Sequence, residues 1–170
     1  MFEDHNDIDG VLRPSSLSGG EGYHEEAMLI TNEHGEERSF PVRVNRQHGP
    51  LILDGLDRGI DVRWGSSWND MANEWLAPRI DLNRPLPVID VPRRTWTRFG
   101  WTSKFEHIEP VIGDRPFCWI DDVFGGKEFG WAEDRTRRGI PTSVIRVEAD
   151  YGLRDAHVAQ VHAWARRSGL

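Results

Sequence analysis

Cysteine is nearly absent from the sequence, with Cys118 as the single example. One thiol forms no internal disulfide and supplies no thiolate zinc cluster, which points to a reducing compartment. Long apolar runs are missing as well, so no stretch approaches the roughly 20 residues that cross a bilayer. The opening residues Met1-Phe2-Glu3-Asp4-His5 lack the basic and apolar character of a secretory leader, and the expected location is the cytoplasm. Positive charge is also in deficit: 21 Lys plus Arg stand against 28 Asp plus Glu, a net charge of -7. Such a surface repels a polyanion as a whole, and any contact with nucleic acid must be local. No internal repeat or low-complexity tract breaks the chain.

What is present fits one globular domain spanning residues 1–170, large enough at 19.5 kDa to bury a core without staples. Eight tryptophans serve mainly as core, because large aromatics dominate burial. The residues 27–31 and 39–44 read as two strands around the polar turn Asn32-Glu33-His34-Gly35-Glu36, a β-hairpin flap inserted over about residues 13–46. A short amphipathic helix is expected over 47–58. Beyond it strands at 61–64, 86–91, 117–120 and 142–147 alternate with helices at 68–76, 104–112, 127–138 and 153–167. Strands separated by helices predict an α/β domain with a mainly parallel five-stranded sheet and helices on both faces. In such sheets the ligand lies beyond the carboxyl ends of the strands.

Those ends carry the chemistry-bearing residues. Asp7-Ile8-Asp9-Gly10 places two carboxylates before a glycine, either a polar turn or a nucleophile paired with an acid/base catalyst. Trp64-Gly65-Ser66-Ser67-Trp68 offers a hydroxyl where helix N-terminal amides could hold a phosphoryl oxygen, with Ser67 alternatively a helix N-cap. Ser103-Lys104-Phe105-Glu106 spells a capping box and sets Lys104 in a first helical turn, where the helix dipole disfavours a cation unless an anion is near. A solvated surface lysine is the plainer reading. The apolar strand Phe117-Cys118-Trp119-Ile120 runs into Asp121-Asp122, adjacent acids that suit Mg²⁺ or a helix cap.

In this order the four motifs resemble the haloacid dehalogenase (HAD) superfamily of phosphatases. The stretches Val44-Asn45-x-x-His48-Gly49, Trp68-x-x-x-Ala72-Asn73 and Arg115-Pro116-x-x-Trp119-Ile120-Asp121-Asp122 are similar to a small-cap subgroup found in RNA-repair assemblies, as is the final-helix text from Gly152-Leu153 to Trp164-Ala165. The resemblance implies a HAD-like, Rossmann-like three-layer fold with the hairpin flap as a minimal cap. It implies a Mg²⁺-dependent phosphomonoesterase working through an aspartyl-phosphate. Asp7 would be nucleophile and metal ligand, and Asp9 the acid/base that also lends its carbonyl to the metal. Ser66 would hold the phosphoryl group, with Ser67 in its place if the register slips by one and Gly10 beside the substrate. Lys104 would stabilise the phosphoaspartate, and Asp121 with Asp122 would complete the Mg²⁺ site.

One departure from that pattern is the polar text Glu3-Asp4-His5-Asn6 where an apolar strand should precede the nucleophile. Buried polar groups without partners cost on the order of 1 to 3 kcal/mol each. The alternative function is therefore a catalytically impaired HAD-fold binding or scaffold module. The expected substrate is a phosphorylated small molecule, a nucleotide or a nucleic-acid end. The segment from Arg93 to Trp101 interleaves three arginines with three aromatics; Arg94 and Trp96 either meet such a substrate or belong to a loop that its aromatics anchor to the core.

Overall fold

A computed structural model describes residues 13–14, 22–31, 34–149 and 151–170. The first expected strand, with Asp7, Asp9 and Gly10, lies outside the described residues. The described chain begins with an antiparallel sheet in the order β1-β3-β2, built from β1 (Arg13–Pro14), β2 (Tyr23–Thr31) and β3 (Glu37–Asn45). β2 and β3 stay in register over nine pairs from Tyr23↔Asn45 to Thr31↔Glu37, so the hairpin is longer than the apolar text alone delimits. Alternation drives Met28, Val42 and Val44 to one side, where they pack on Trp64, Leu76, Ile80 and Leu82.

Helix α1 (His48–Asp57) follows. Gly49, its second residue, lies against the backbone at Ile80 and donates its N–H to the Ile80 carbonyl at 2.9 Å. A Cβ there would lie 2.1 Å from that same oxygen, so only glycine allows the approach.

The mainly parallel five-stranded sheet and the three-layer arrangement expected from the sequence are not what the described residues form. Three small sheets replace them: the antiparallel one above, a two-stranded antiparallel β4–β5 and a two-stranded parallel β6–β7. The strands expected at 61–64 and 86–91 meet only at one parallel bridge, Trp64↔Val88. The reason is local. Pro85, Pro87 and Pro92 cannot donate to a ladder, and side-chain amides take neighbouring backbone groups. Asn73 accepts from Leu86 N–H at 2.9 Å and donates to Leu86 C=O at 2.8 Å, while Asn69 does the same to Val91 at 3.2 and 3.1 Å.

The helix expected over 68–76 is altered by the same residues. Asn69 sits at φ +48°, turns occupy its surroundings, and a π-helical turn over Ala72–Leu76 leads into the short α2 (Ala77–Arg79). Ser67 is thus no helix N-cap.

β4 (Thr97–Arg98) and β5 (Trp101–Thr102) form a tight hairpin that leads into α3 (Phe105–Ile112). The capping box expected at Ser103 is absent: the Ser103 hydroxyl accepts from Trp96 N–H at 3.2 Å instead. β6 (Phe117–Asp121) and β7 (Thr142–Arg146) pair in parallel, with α4 (Lys127–Arg137) as the crossover between them. This is the one βαβ unit among the described residues. Ile89, Val91, Ile108, Ile112, Trp119 and Phe124 form its core, flanked by Phe105, Phe129 and Trp131. The last helix, α5 (Asp155–Arg167), is pinned by a Trp164 indole N–H donated to Pro141 C=O at 3.0 Å.

Candidate active site

β6 is apolar until its last residue, and that residue is an acid. Asp121 is 0% exposed, and its carboxylate accepts three donors. Oδ2 takes Lys104 Nζ at 2.9 Å and the Trp119 indole N–H at 3.1 Å, while Oδ1 takes Val123 N–H at 3.1 Å. Trp119 reaches this oxygen because residues two apart on a strand share a face. Lys104, immediately before α3, is also 0% exposed. The solvated-lysine reading is overturned, and the anion that the helix dipole requires is Asp121.

A buried ion pair is poor value as a stabilising device, since desolvation of both charges offsets most of their attraction. Pairs of this kind in a strand-end position are candidates for function rather than for stability. Lysine is also scarce: Lys104 and Lys127 are the only two in the chain, against many arginines. A compact ammonium fits where a planar guanidinium would not.

Ser66 is fully buried, with its hydroxyl accepting Trp68 N–H at 3.3 Å and its carbonyl accepting Asn69 N–H at 2.9 Å. Ser67 Oγ is buried with no hydrogen-bond partner. The turn that carries both serines meets α3 through Gly65, where an added Cβ would lie 3.4 Å from Ile108 Cδ1. Ile108 in turn donates its N–H to the Lys104 carbonyl at 3.1 Å. Lys104 and Asp121 are therefore in direct contact, and the serine turn lies against the same helix that Lys104 precedes. Asp122 follows Asp121 at the strand end and is half-buried. Arg94 and Trp96 are exposed, and Trp96 is tied by its backbone to Ser103, next to Lys104.

Among the described residues no group of three carboxylates, imidazoles or thiols is placed to hold a metal ion. Two of the four expected Mg²⁺ ligands, Asp121 and Asp122, are described. Both offer the hard oxygen donors that Mg²⁺ prefers. Asp121 already serves three N–H donors, so its remaining capacity is one lone-pair direction, on Oδ1. The donor chemistry fits the ion.

Two groups missed in the sequence position this region. Trp119 holds the Asp121 carboxylate, and its place two residues before Asp121 on a strand is the signal that finds it. Glu128, in the first turn of α4, is 0% exposed and grips two backbone amides, Thr102 N–H at 2.5 Å and Gly126 N–H at 2.9 Å. It locks the β4–β5 hairpin, two residues before Lys104, to α4. Burial pushes the Cys118 thiol up to about 12, which keeps it a thiol and removes it as a nucleophile near neutral pH. No helix among the described residues is long and apolar enough to cross a membrane.

No family model, curated protein or solved structure matches the chain.

Proposed function

We propose that the chain is a HAD-type phosphate monoester hydrolase that works through an acyl phosphate on Asp7. The observation that carries the reading is the buried Lys104–Asp121 pair at the carboxyl end of β6, with a buried serine turn on the adjoining helix. The reading rests on these side chains and on the Asp7-x-Asp9 motif, not on a five-stranded sheet.

In this scheme an Asp7 carboxylate oxygen attacks phosphorus, the bond to the ester oxygen breaks, and Asp9 gives its proton to the departing alkoxide. Asp9 then takes a proton from the water that attacks the acyl phosphate, which releases inorganic phosphate and restores the Asp7 carboxylate. Ser66 or Ser67 donates a hydroxyl hydrogen bond to a phosphoryl oxygen, and the free Ser67 hydroxyl has that capacity unspent. Lys104 supplies positive charge against the carboxylates and the phosphoryl group, held in place by Asp121. Mg²⁺ bound by Asp7, Asp9, Asp121 and Asp122 would neutralise the charge that gathers on the transferred group.

Hydrolysis of an aryl phosphate by the wild type, with and without Mg²⁺, and by Asp7→Asn tests the proposal. Activity that needs Mg²⁺ and falls at least about a hundredfold in Asp7→Asn is expected, the scale of losing a covalent nucleophile. Activity that survives in Asp7→Asn removes the mechanism. A wild type inactive on a broad panel of monoesters assigns the chain to the binding or scaffold class.

A further inference from the structure

The β4–β5 hairpin breaks two rules of economy at once. Its two-residue turn is Phe99-Gly100, with φ of +54° and +85°. Both central residues of such a turn need positive φ, which Asn-Gly or Gly-Gly meets cheaply and a bulky phenylalanine does not. The same Phe99 is 77% exposed, so its ring gains little from burial. Trp96, at the base of β4, is 50% exposed. Backbone strain combined with exposed aromatics marks a surface shaped for contact.

Charge says what it contacts. Arg93, Arg94 and Arg98 are all exposed on this excursion, within a chain of net charge -7. Arg93 and Arg98 form no ion pair among the described residues, although acids outnumber bases in the chain. The Arg98 guanidinium lies 4.7 Å from the Phe99 ring centre, a flat cation beside an aromatic face.

The hairpin is also rigid at its root. Glu128 holds Thr102 N–H, Gly100 C=O accepts Lys127 N–H at 2.9 Å, and Trp96 and Ser103 exchange backbone and hydroxyl bonds. Gly125 presses on Gly100 so closely that a Cβ on it would lie 2.4 Å from the Gly100 carbonyl carbon. A side chain on a fixed turn presents its ring without paying for order at binding.

We infer that this hairpin is a single-stranded nucleic-acid platform: unpaired bases stack on Phe99 and Trp96, and the backbone phosphates lie along Arg93 and Arg98. The inference goes beyond the phosphatase reading and stands without it.

Fluorescence anisotropy with a short labelled oligo-dT and a short oligo-U tests it. Both carry hydroxyl ends, so no terminal phosphate takes part and a failed hydrolysis assay leaves the result intact. The full-length chain is expected to bind either probe, more weakly as salt rises and more tightly than it binds a duplex of equal length. Phe99→Asn is the decisive variant, because asparagine suits the turn better than phenylalanine does. Its melting temperature should hold or rise while affinity falls about tenfold, the order of one lost stacking contact. Trp96→Ala should fall similarly, Phe99→Trp should bind like the wild type, and Arg93→Ala or Arg98→Ala should lower the salt slope by about one. Three results overturn the inference: no binding of either single strand, affinity unchanged in both Phe99→Asn and Trp96→Ala, or an acidic peptide that displaces the probe as well as unlabelled oligonucleotide does.

Discussion

Lys104 and Asp121 each answer a need the other creates. The ammonium sits where a helix dipole repels it, and the carboxylate sits fully buried at the end of an apolar strand. Removing one charge leaves the other buried and unpaired, which costs about 3 to 5 kcal/mol in comparable pairs. Lys104→Met is expected to lose that much in urea unfolding. Adding Asp121→Asn to it should recover part of the loss, since an uncharged amide oxygen can still accept from Trp119 or Val123. A double variant that loses as much as Lys104→Met and Asp121→Asn added together would mean that the charges contribute independently. The recovery would not restore activity, because the charge that the proposed chemistry needs is then gone.

At the scale of elements, Glu128 is the tie between hairpin and helix. Truncation to alanine orphans the buried Thr102 N–H, at about 1 to 3 kcal/mol, and also frees Gly126 N–H, which lies on an exposed glycine. Glu128→Ala is expected to speed amide exchange at Thr102 and Gly126 well before the rest of β6–β7 exchanges. Glu128→Gln, which keeps one acceptor oxygen, should do so less. Exchange unchanged at both amides would show that neighbouring contacts hold the hairpin on their own.

The same scale shows what the sequence could and could not disclose. Strong local patterns were readable: the alternation of β2 and β3, the spacing of α1, the apolar run of β6 with its terminal acids, and α4 and α5. Lys104 and Asp121 were readable as separate candidates, but not as partners, because a contact between residues 17 apart is tertiary. The sheet was misread because residues 61–64 and 86–91 have strand composition, while pairing depends on which backbone groups remain open. The Asn73 and Asn69 amides occupy the backbone groups of Leu86 and Val91, Pro85, Pro87 and Pro92 have no N–H to give, and no periodicity records that. Phe99 reads in sequence first as an aromatic that anchors its loop to the core, and its exposure and positive φ overturn that reading.

For the molecule as a whole, acidity is a lever on stability. His48 is buried with its Nδ1 unpartnered and the edge of its ring against Tyr23, and desolvation lowers it to about 4. In the unfolded chain an imidazole takes its proton near pH 6.5. Between those values the unfolded state binds a proton that the folded state refuses, so stability is full above about pH 6.5 and falls as pH drops towards 4. A shift of this size is worth about 3 kcal/mol when the window has been crossed. His157, lowered by burial and by Arg154, adds to the slope in the same direction. His48→Leu is expected to flatten the pH dependence of urea unfolding between pH 7 and pH 4.5. An unchanged slope would mean that His48 finds a way to charge within the fold.

The amide side chains of Asn69 and Asn73 have one further consequence, for life in a crowded solution. Residues 86–91 carry the composition of a strand that would recruit another chain, with Leu86, Val88, Ile89 and Val91 in close order. Their backbone, however, is engaged from within at both ends, by hydrogen bonds a neighbouring molecule cannot displace without first prying out two asparagines. What costs the fold a wide sheet also denies a sticky segment its template for self-association.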